Sequence, residues 1–214
     1  MRLIDALAAL KRLGSLALST NDGAAALGVP RLHASKIMAR LAAAGHLVRL
    51  TRGLWGFPDR IDPLLLPQIV TAPLPSYVSL QSALYHHGMI EQIPERIYAV
   101  SPARSRLFTT PLGTASIHHV AAGFFAGFQI VGRNGLCIAT PEKALVDFAY
   151  LGPARSRLFA ALPEIELPSS FSMPKMRRFL TLIAGGRRRT LAARRLDVLL
   201  GPGTRCSRDA AVRR

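Results

Sequence analysis

Acidic residues are scarce in this chain: 214 residues carry 12 Asp and Glu against 28 Lys and Arg, a formal charge of +16. An imbalance of that size speaks to partners rather than to fold, and it favours a phosphate-rich one through counterion release. Cysteine is almost missing. Cys137 and Cys206 make neither a metal-ligand spacing nor a disulfide framework, which fits a reducing compartment, so a cytoplasmic protein is expected. Uninterrupted apolar runs are lacking too. Pro63–Ile90 and Leu107–Gly132 are free of charge, but prolines break the first, and Pro111 with several glycines breaks the second. Neither can present a continuous helix to lipid, and no membrane association is expected. Arg2 ahead of an apolar stretch imitates a leader peptide, yet Asp5, Lys11 and Arg12 interrupt it early. No glycine-rich phosphate loop, nucleophile elbow or metalloprotease signature occurs, so no enzyme and no cofactor are expected.

What the chain does have is basic ends. Residues 1–60 hold nine Lys and Arg against three acids, residues 61–174 hold seven of each, and residues 175–214 hold twelve against two. A biased composition is the plainer alternative, since 24 of the 28 basic residues are Arg.

In the first segment, Leu3, Leu7, Leu10 and Leu13, with Ile4 and Ala8, recur at helical spacing up to Gly14. Thr20 or Asn21 is expected to cap a second short helix that ends at Gly28. Val29-Pro30 then opens a third, with Ala34, Ile37, Met38 and Leu41 inward and His33, Lys36 and Arg40 on the opposite face beside Ser35. After Gly45 the period falls from 3.6 to 2. Leu47, Val48 and Leu50 lead into the turn Thr51-Arg52-Gly53, and Leu54 to Phe57 lead out. Three helices followed by a hairpin read as a winged helix-turn-helix over residues 1–58, with the third helix entering the major groove. Its expected DNA-binding residues are Arg31, His33, Ser35, Lys36, Arg40 and Arg52, the last contacting backbone from the wing tip.

Residues 59–76 are a proline-punctuated connection and the best domain boundary. Beyond it, Ser79–Met89 reads as a helix and Arg96–Ser101 as a strand. Arg106–Thr110 and Thr114–Val120 read as a hairpin, and Phe124–Val131 and Cys137–Ala139 as strands joined through Asn134-Gly135. Thr140-Pro141-Glu142 reads as a helix start, with Thr140 as the cap. The expectation is an α+β domain over 59–200 with a mixed or antiparallel sheet.

Several constellations are declined as chemistry. Neither His86-His87 nor His118-His119 chelates easily, because neighbours diverge on strand and helix alike; no metal is expected. Glu142, Lys143 and Asp147 could be read as an acid/base trio, but Glu142 and Asp147 lie five apart on one helix, diverge, and make a poor catalytic pair. The string Pro-Ala-Arg-Ser-Arg-Leu-Phe occurs at 102–108 and again at 153–159 without matching flanks.

The order of motifs brings a family into view. Arg52-Gly53-Leu54-Trp55 is followed by Tyr77-Val78-Ser79-Leu80-Gln81-Ser82-Ala83-Leu84, His87-Gly88 and Thr109-Thr110-Pro111-Leu112-Gly113. Ile138-Ala139-Thr140-Pro141-Glu142-Lys143-Ala144-Leu145 and Asp147 complete the set. Through these, residues 3–151 resemble the AbiEi-type antitoxins of type IV toxin–antitoxin systems. The resemblance implies an N-terminal winged helix-turn-helix that represses its own operon, and a C-terminal antitoxin domain that counters a nucleotidyltransferase-like toxin. It implies no catalytic residues. Expected partners are the chain's own promoter, read as inverted repeats by a homodimer, and the cognate toxin.

The C-terminal segment carries two helical patterns, one from Pro174 to Ile183 and one over Arg187–Leu200. Arg187, Arg188, Arg189, Arg194 and Arg195 are candidates for further phosphate contacts or for an acidic partner. A solvated tail without a role is the alternative, and residues 201–214 are expected to be disordered. The competing overall reading is a winged-helix adaptor for protein or RNA, without sequence-specific repression.

Overall fold

The computed structural model describes residues 2–152, 165–201 and 205–206. The chain is mixed α+β. The first helix, α1 (Leu3–Lys11), turns Ala6, Leu7 and Leu10 inward. Leu7 and Leu10 are buried and Leu3 packs against them, as the spacing predicts, whereas Ile4 and Leu13 are solvent-exposed, Leu13 because the helix has already ended at Lys11. Next come β1 (Ala17–Ser19), α2 (Thr20–Leu27), α3 (Arg31–Ala43), β2 (Val48–Thr51) and β3 (Leu54–Gly56). The strands form an antiparallel sheet in the order β1-β3-β2.

The cap of α2 is Ser19, not Thr20 or Asn21. Ser19 Oγ accepts from the Asp22 amide at 3.1 Å, and the Asp22 carboxylate accepts from the Ser19 amide at 2.8 Å, a closed capping box. That frees the Thr20 side chain to point inward. On α3 the buried face is Ala34, Ile37, Met38 and Leu41, as the periodicity predicts. Ile37, Met38 and Leu41 form one apolar core with Leu7, Leu10, Leu18 and Trp55.

The second part begins with a 3-10 turn at Pro63–Leu65 and α4 (Leu66–Thr71). A six-stranded mixed sheet follows, built from β4 (Tyr77–Val78), β5 (Ile97–Ser101), β6 (Arg106–Thr110), β7 (Gly113–His119), β8 (Phe128–Val131) and β9 (Leu136–Ala139). Its order is β6-β7-β5-β4-β9-β8, with the β5–β7 and β4–β9 pairs parallel. The helices are α5 (Leu80–His86), α6 (Pro141–Leu151), α7 (Met173–Thr181) and α8 (Gly186–Leu199). The strand expected over 124–131 is shorter, since Ala122–Phe124 form a 3-10 turn. Gly127 ends the extended path: its φ is +79°, and a Cβ there would lie 2.7 Å from the Phe179 ring.

Strand alternation divides the core. Tyr98 and Val100 face the cluster shared with α5, α6 and α8, whereas Ala99 faces the other way. On that other side Ala99, Ala115 and Ile117 pack against Leu50 and Ile61, with Ala17, Val48 and Leu54 at the edge. The small sheet is therefore apolar on both faces: Leu18 and Trp55 serve the helical core, and Val48, Leu50 and Leu54 serve the seam with the large sheet.

The helix expected over Arg187–Leu200 is α8, and it packs against the main core. Ala192 and Leu196 of α8 are buried in the main core. Of the stretch expected to be disordered, Arg205–Cys206 form β11, a short strand parallel to β10 (Glu166–Leu167). The remainder beyond Gly201 lies outside the described residues, as does the second copy of the repeated string. The first copy runs from a loop into β6.

Candidate nucleic-acid interface

Between α3 and the β2–β3 hairpin lies a cleft of about 470 Å³ lined by Arg31, Ser35, Ala39, Arg49, Arg52 and Trp55, among others. Each wall has a local cause. Arg31, Ser35 and Ala39 recur every four residues and so share one flank of α3. Trp55 anchors the other wall: its indole Nε1–H donates to Thr20 Oγ1 at 3.0 Å. Thr20 in turn gives its hydroxyl proton to the Gly53 carbonyl at 3.3 Å, and its amide donates to the same oxygen at 2.9 Å. The turn carrying Arg52 is thereby tied to the start of α2. Gly53 can take its φ of +78° because it has no Cβ.

Arg49 stands opposite Trp55 in the strand register, with its guanidinium 5.8 Å from the indole centroid. Such stacking holds the planar cation without consuming its charge. Among the described residues, no carboxylate lines the cleft. Asp22 is occupied in the capping box, and Asp59 pairs with Lys11 at 3.2 Å.

Of the six residues picked from the sequence, Arg31, Ser35 and Arg52 line this cleft. His33, Lys36 and Arg40 are exposed on α3 but outside it, so the six form two stripes rather than one. Arg49 was missed. Its signal was present: Leu50 inward on a period-2 strand puts its neighbour on the face that Trp55 occupies. The five C-terminal arginines also divide. Arg189 donates to the Ile183 carbonyl at 3.1 and 3.3 Å. Arg195 donates to the carbonyls of Ala149 and Gly152 at the end of α6, where a cation suits the exposed carbonyls and the dipole. These two are tied to backbone carbonyls, Arg195 half-buried, while Arg187, Arg188 and Arg194 are exposed.

A second constellation lies inside the protein. The Lys143 ammonium pairs with Asp147 one turn along α6, and both side chains are fully buried. Asp147 also accepts from Tyr77 Oη at 3.0 Å and from Ser79 Oγ at 2.7 Å. Lys143 Nζ sits 3.6 Å from the centroid of Phe124. Burial pushes the lysine down and the aspartate up from their ordinary values, each opposed by the partner's charge. Of the trio Glu142, Lys143 and Asp147, it is Lys143 and Asp147, at i and i+4, that meet. Glu142 points elsewhere, to Lys175 at 3.1 Å and the Ser172 amide at 3.1 Å, fastening α7 to α6.

The adjacent histidines do diverge. On β7, His118 approaches the Tyr98 ring while His119 Nδ1 contacts the carbonyls of Pro102 and Ala103. His87 Nε2 lies 2.7 Å from the Ala139 carbonyl, which can only accept, so Nε2 carries the proton. Burial holds both His87 and His118 below the ordinary histidine value of 6.5, the Ala139 carbonyl partly opposing this at His87. A depressed histidine stabilises the fold fully above the unfolded value and loses that contribution as pH falls through the folded one. Denaturation midpoints are therefore expected to be flat above pH ~7 and to drop below pH ~6.5. A His87→Gln/His118→Gln protein, titrated with urea at both ends of that range, should show a smaller drop.

Among the described residues, no helix is long and apolar enough to cross a membrane, and no group of three His, Cys, Asp or Glu is placed to hold a metal. No protein-family model matches the chain, and no curated protein is detectably similar in sequence.

Proposed function

We propose that the chain is a DNA-binding protein whose N-terminal unit works as a winged helix-turn-helix, α3 being the reading helix and the β2–β3 hairpin the wing. The observation that carries this is the acid-free cleft in which Arg31, Arg49 and Arg52 converge from helix, strand and turn. Arginines fixed by stacking and by an anchored turn suit phosphate oxygens, and the exposed Lys36 and Arg40 extend the basic surface along α3. Within that class, the proposed protein is a cytoplasmic transcriptional autorepressor and antitoxin of a type IV toxin–antitoxin system, countering a nucleotidyltransferase-like toxin. The order of motifs from Arg52 to Asp147 supports this second step. The proposed operator is a pair of inverted repeats bound by a homodimer.

The test is fluorescence anisotropy with a duplex taken from immediately upstream of the gene, against a scrambled duplex, across a salt series. Tight binding to the first alone is expected, lost in Lys36→Ala/Arg40→Ala. Five basic contacts per protomer predict a log–log salt slope of about −4.5 for each protomer bound. Equal, steeply salt-dependent binding to both duplexes would remove the repressor reading.

A further inference from the structure

Leu32 is the most exposed large apolar side chain on α3, at 72 % of its full accessibility. It stands at the second position of the helix, where the N-terminal turn of a reading helix meets base edges. Ser35 and Ala39 follow it at i+3 and i+7, so the three share one strip, and all three line the cleft. Arginines bound the strip on both sides: Arg31 and Arg52 in the cleft, and Arg40 on the far flank of the helix. An exposed leucine is ordinary on a protein surface. An exposed leucine flanked by cations is not, because the ligand these cations attract is a polyanion, and the leucine has to meet an apolar group that such a polyanion carries. In the major groove that group is the C5-methyl of thymine, the sole apolar feature among the base edges there.

We propose that Leu32, with Ala39 behind it, reads thymine methyl groups, so that base specificity resides in an apolar strip while the arginines supply affinity. This rests on the DNA-binding reading above. Ser35, between the two, accepts from or donates to whichever neighbouring base edge is presented, and adds little discrimination by itself.

The experiment uses the full chain and the upstream duplex in two versions, one with thymine and one with uracil throughout, which differ in the C5-methyl alone. Scrambled duplexes of both kinds control for altered duplex stiffness. Wild-type protein should bind the uracil duplex at least about fourfold more weakly for each methyl buried, the factor expected for one buried methyl group. Leu32→Ala should bind the thymine duplex more weakly and discriminate little between the two. The side chain is exposed, so this variant should fold normally, which circular dichroism and a thermal melt will verify. Specific binding that is equal for thymine and uracil overturns the inference and leaves the DNA-binding reading intact. So does discrimination that survives unchanged in Leu32→Ala. No preference for the upstream duplex over the scrambled one overturns the DNA-binding reading itself, and this inference with it. Loss of a protein–protein contact in Leu32→Ala with DNA binding unchanged assigns the strip to a protein partner and also overturns it.

Discussion

Replacing Asp147 with alanine is expected to lower the folding free energy by about 3–5 kcal/mol, the usual consequence of orphaning a buried charge. The reasoning lies in what would be left behind. Lys143 would remain buried beside Phe124 with its carboxylate gone, and the hydroxyls of Tyr77 and Ser79 would lose their shared acceptor. Water cannot replace the carboxylate easily, since Asp147, Lys143, Tyr77 and Ser79 are all fully buried. The lysine would then have to shed its proton or force the helix open, and either course costs stability. Asp147→Asn should lose somewhat less, because the amide oxygen still accepts from one hydroxyl. The informative comparison is Lys143→Met/Asp147→Leu. Removing both charges together also removes the desolvation cost, so the double variant should be markedly more stable than Asp147→Ala. Urea denaturation at pH 7 followed by tryptophan fluorescence and circular dichroism measures all three. A loss below about 1 kcal/mol for Asp147→Ala would mean that the pair contributes as little as an exposed one.

The second large effect concerns binding. Arg49→Glu/Arg52→Glu should weaken binding to the upstream duplex by about a hundredfold or more, because each charge-assisted contact is worth about 1.5–3 kcal/mol. The slope of log affinity against log salt should also become shallower by about 2. Arg52 makes no contact that the fold needs, and Arg49 gives up only its stacking on Trp55, so stability should fall by no more than about 1 kcal/mol. The matching control is Arg187→Glu/Arg188→Glu, which removes the same charge from the exposed start of α8. If net charge alone governs affinity, the two variants weaken binding equally. If the cleft is the binding surface, the α8 variant retains most of the affinity. Equal losses would therefore count against the cleft.

Legibility from sequence followed the length of the pattern. The buried face of α3 could be read because thirteen residues repeat at one period. The β6–β7 hairpin could be read because its strands flank a proline–glycine turn. By contrast, β1 and β4 have three and two residues, too few for a period to register, and they exist because Leu18 meets Trp55 and Val78 meets Ile138 across the sheet. The cap of α2 was displaced by one residue because Ser19, Thr20 and Asn21 are all competent caps, and the reciprocal bond from Asp22 decides among them. Arg49 eluded the helix-centred search because its value depends on Trp55, a partner on another strand. The two C-terminal helices could be read from their apolar spacing, but not which side of α8 packs: its arginines dominate the pattern, whereas Ala192 and Leu196 make the buried contact.

The seam between the two sheets has one more consequence. Leu50 and Ile61 pack on Ala115 and Ile117, so the N-terminal unit is seated on the rest of the chain instead of hanging from a tether. A tethered reader adjusts to an ill-spaced pair of half-sites by stretching its linker, at a cost that grows slowly with reach. A seated one has no such slack. If the chain binds DNA as a dimer, as proposed, this seat removes one source of play between the two copies of α3, and more of any mismatch would fall on the double helix, to be absorbed by bending or twisting it. That deformation is easier for some base steps than for others. Base pairs touched by no side chain would then help decide where the protein rests.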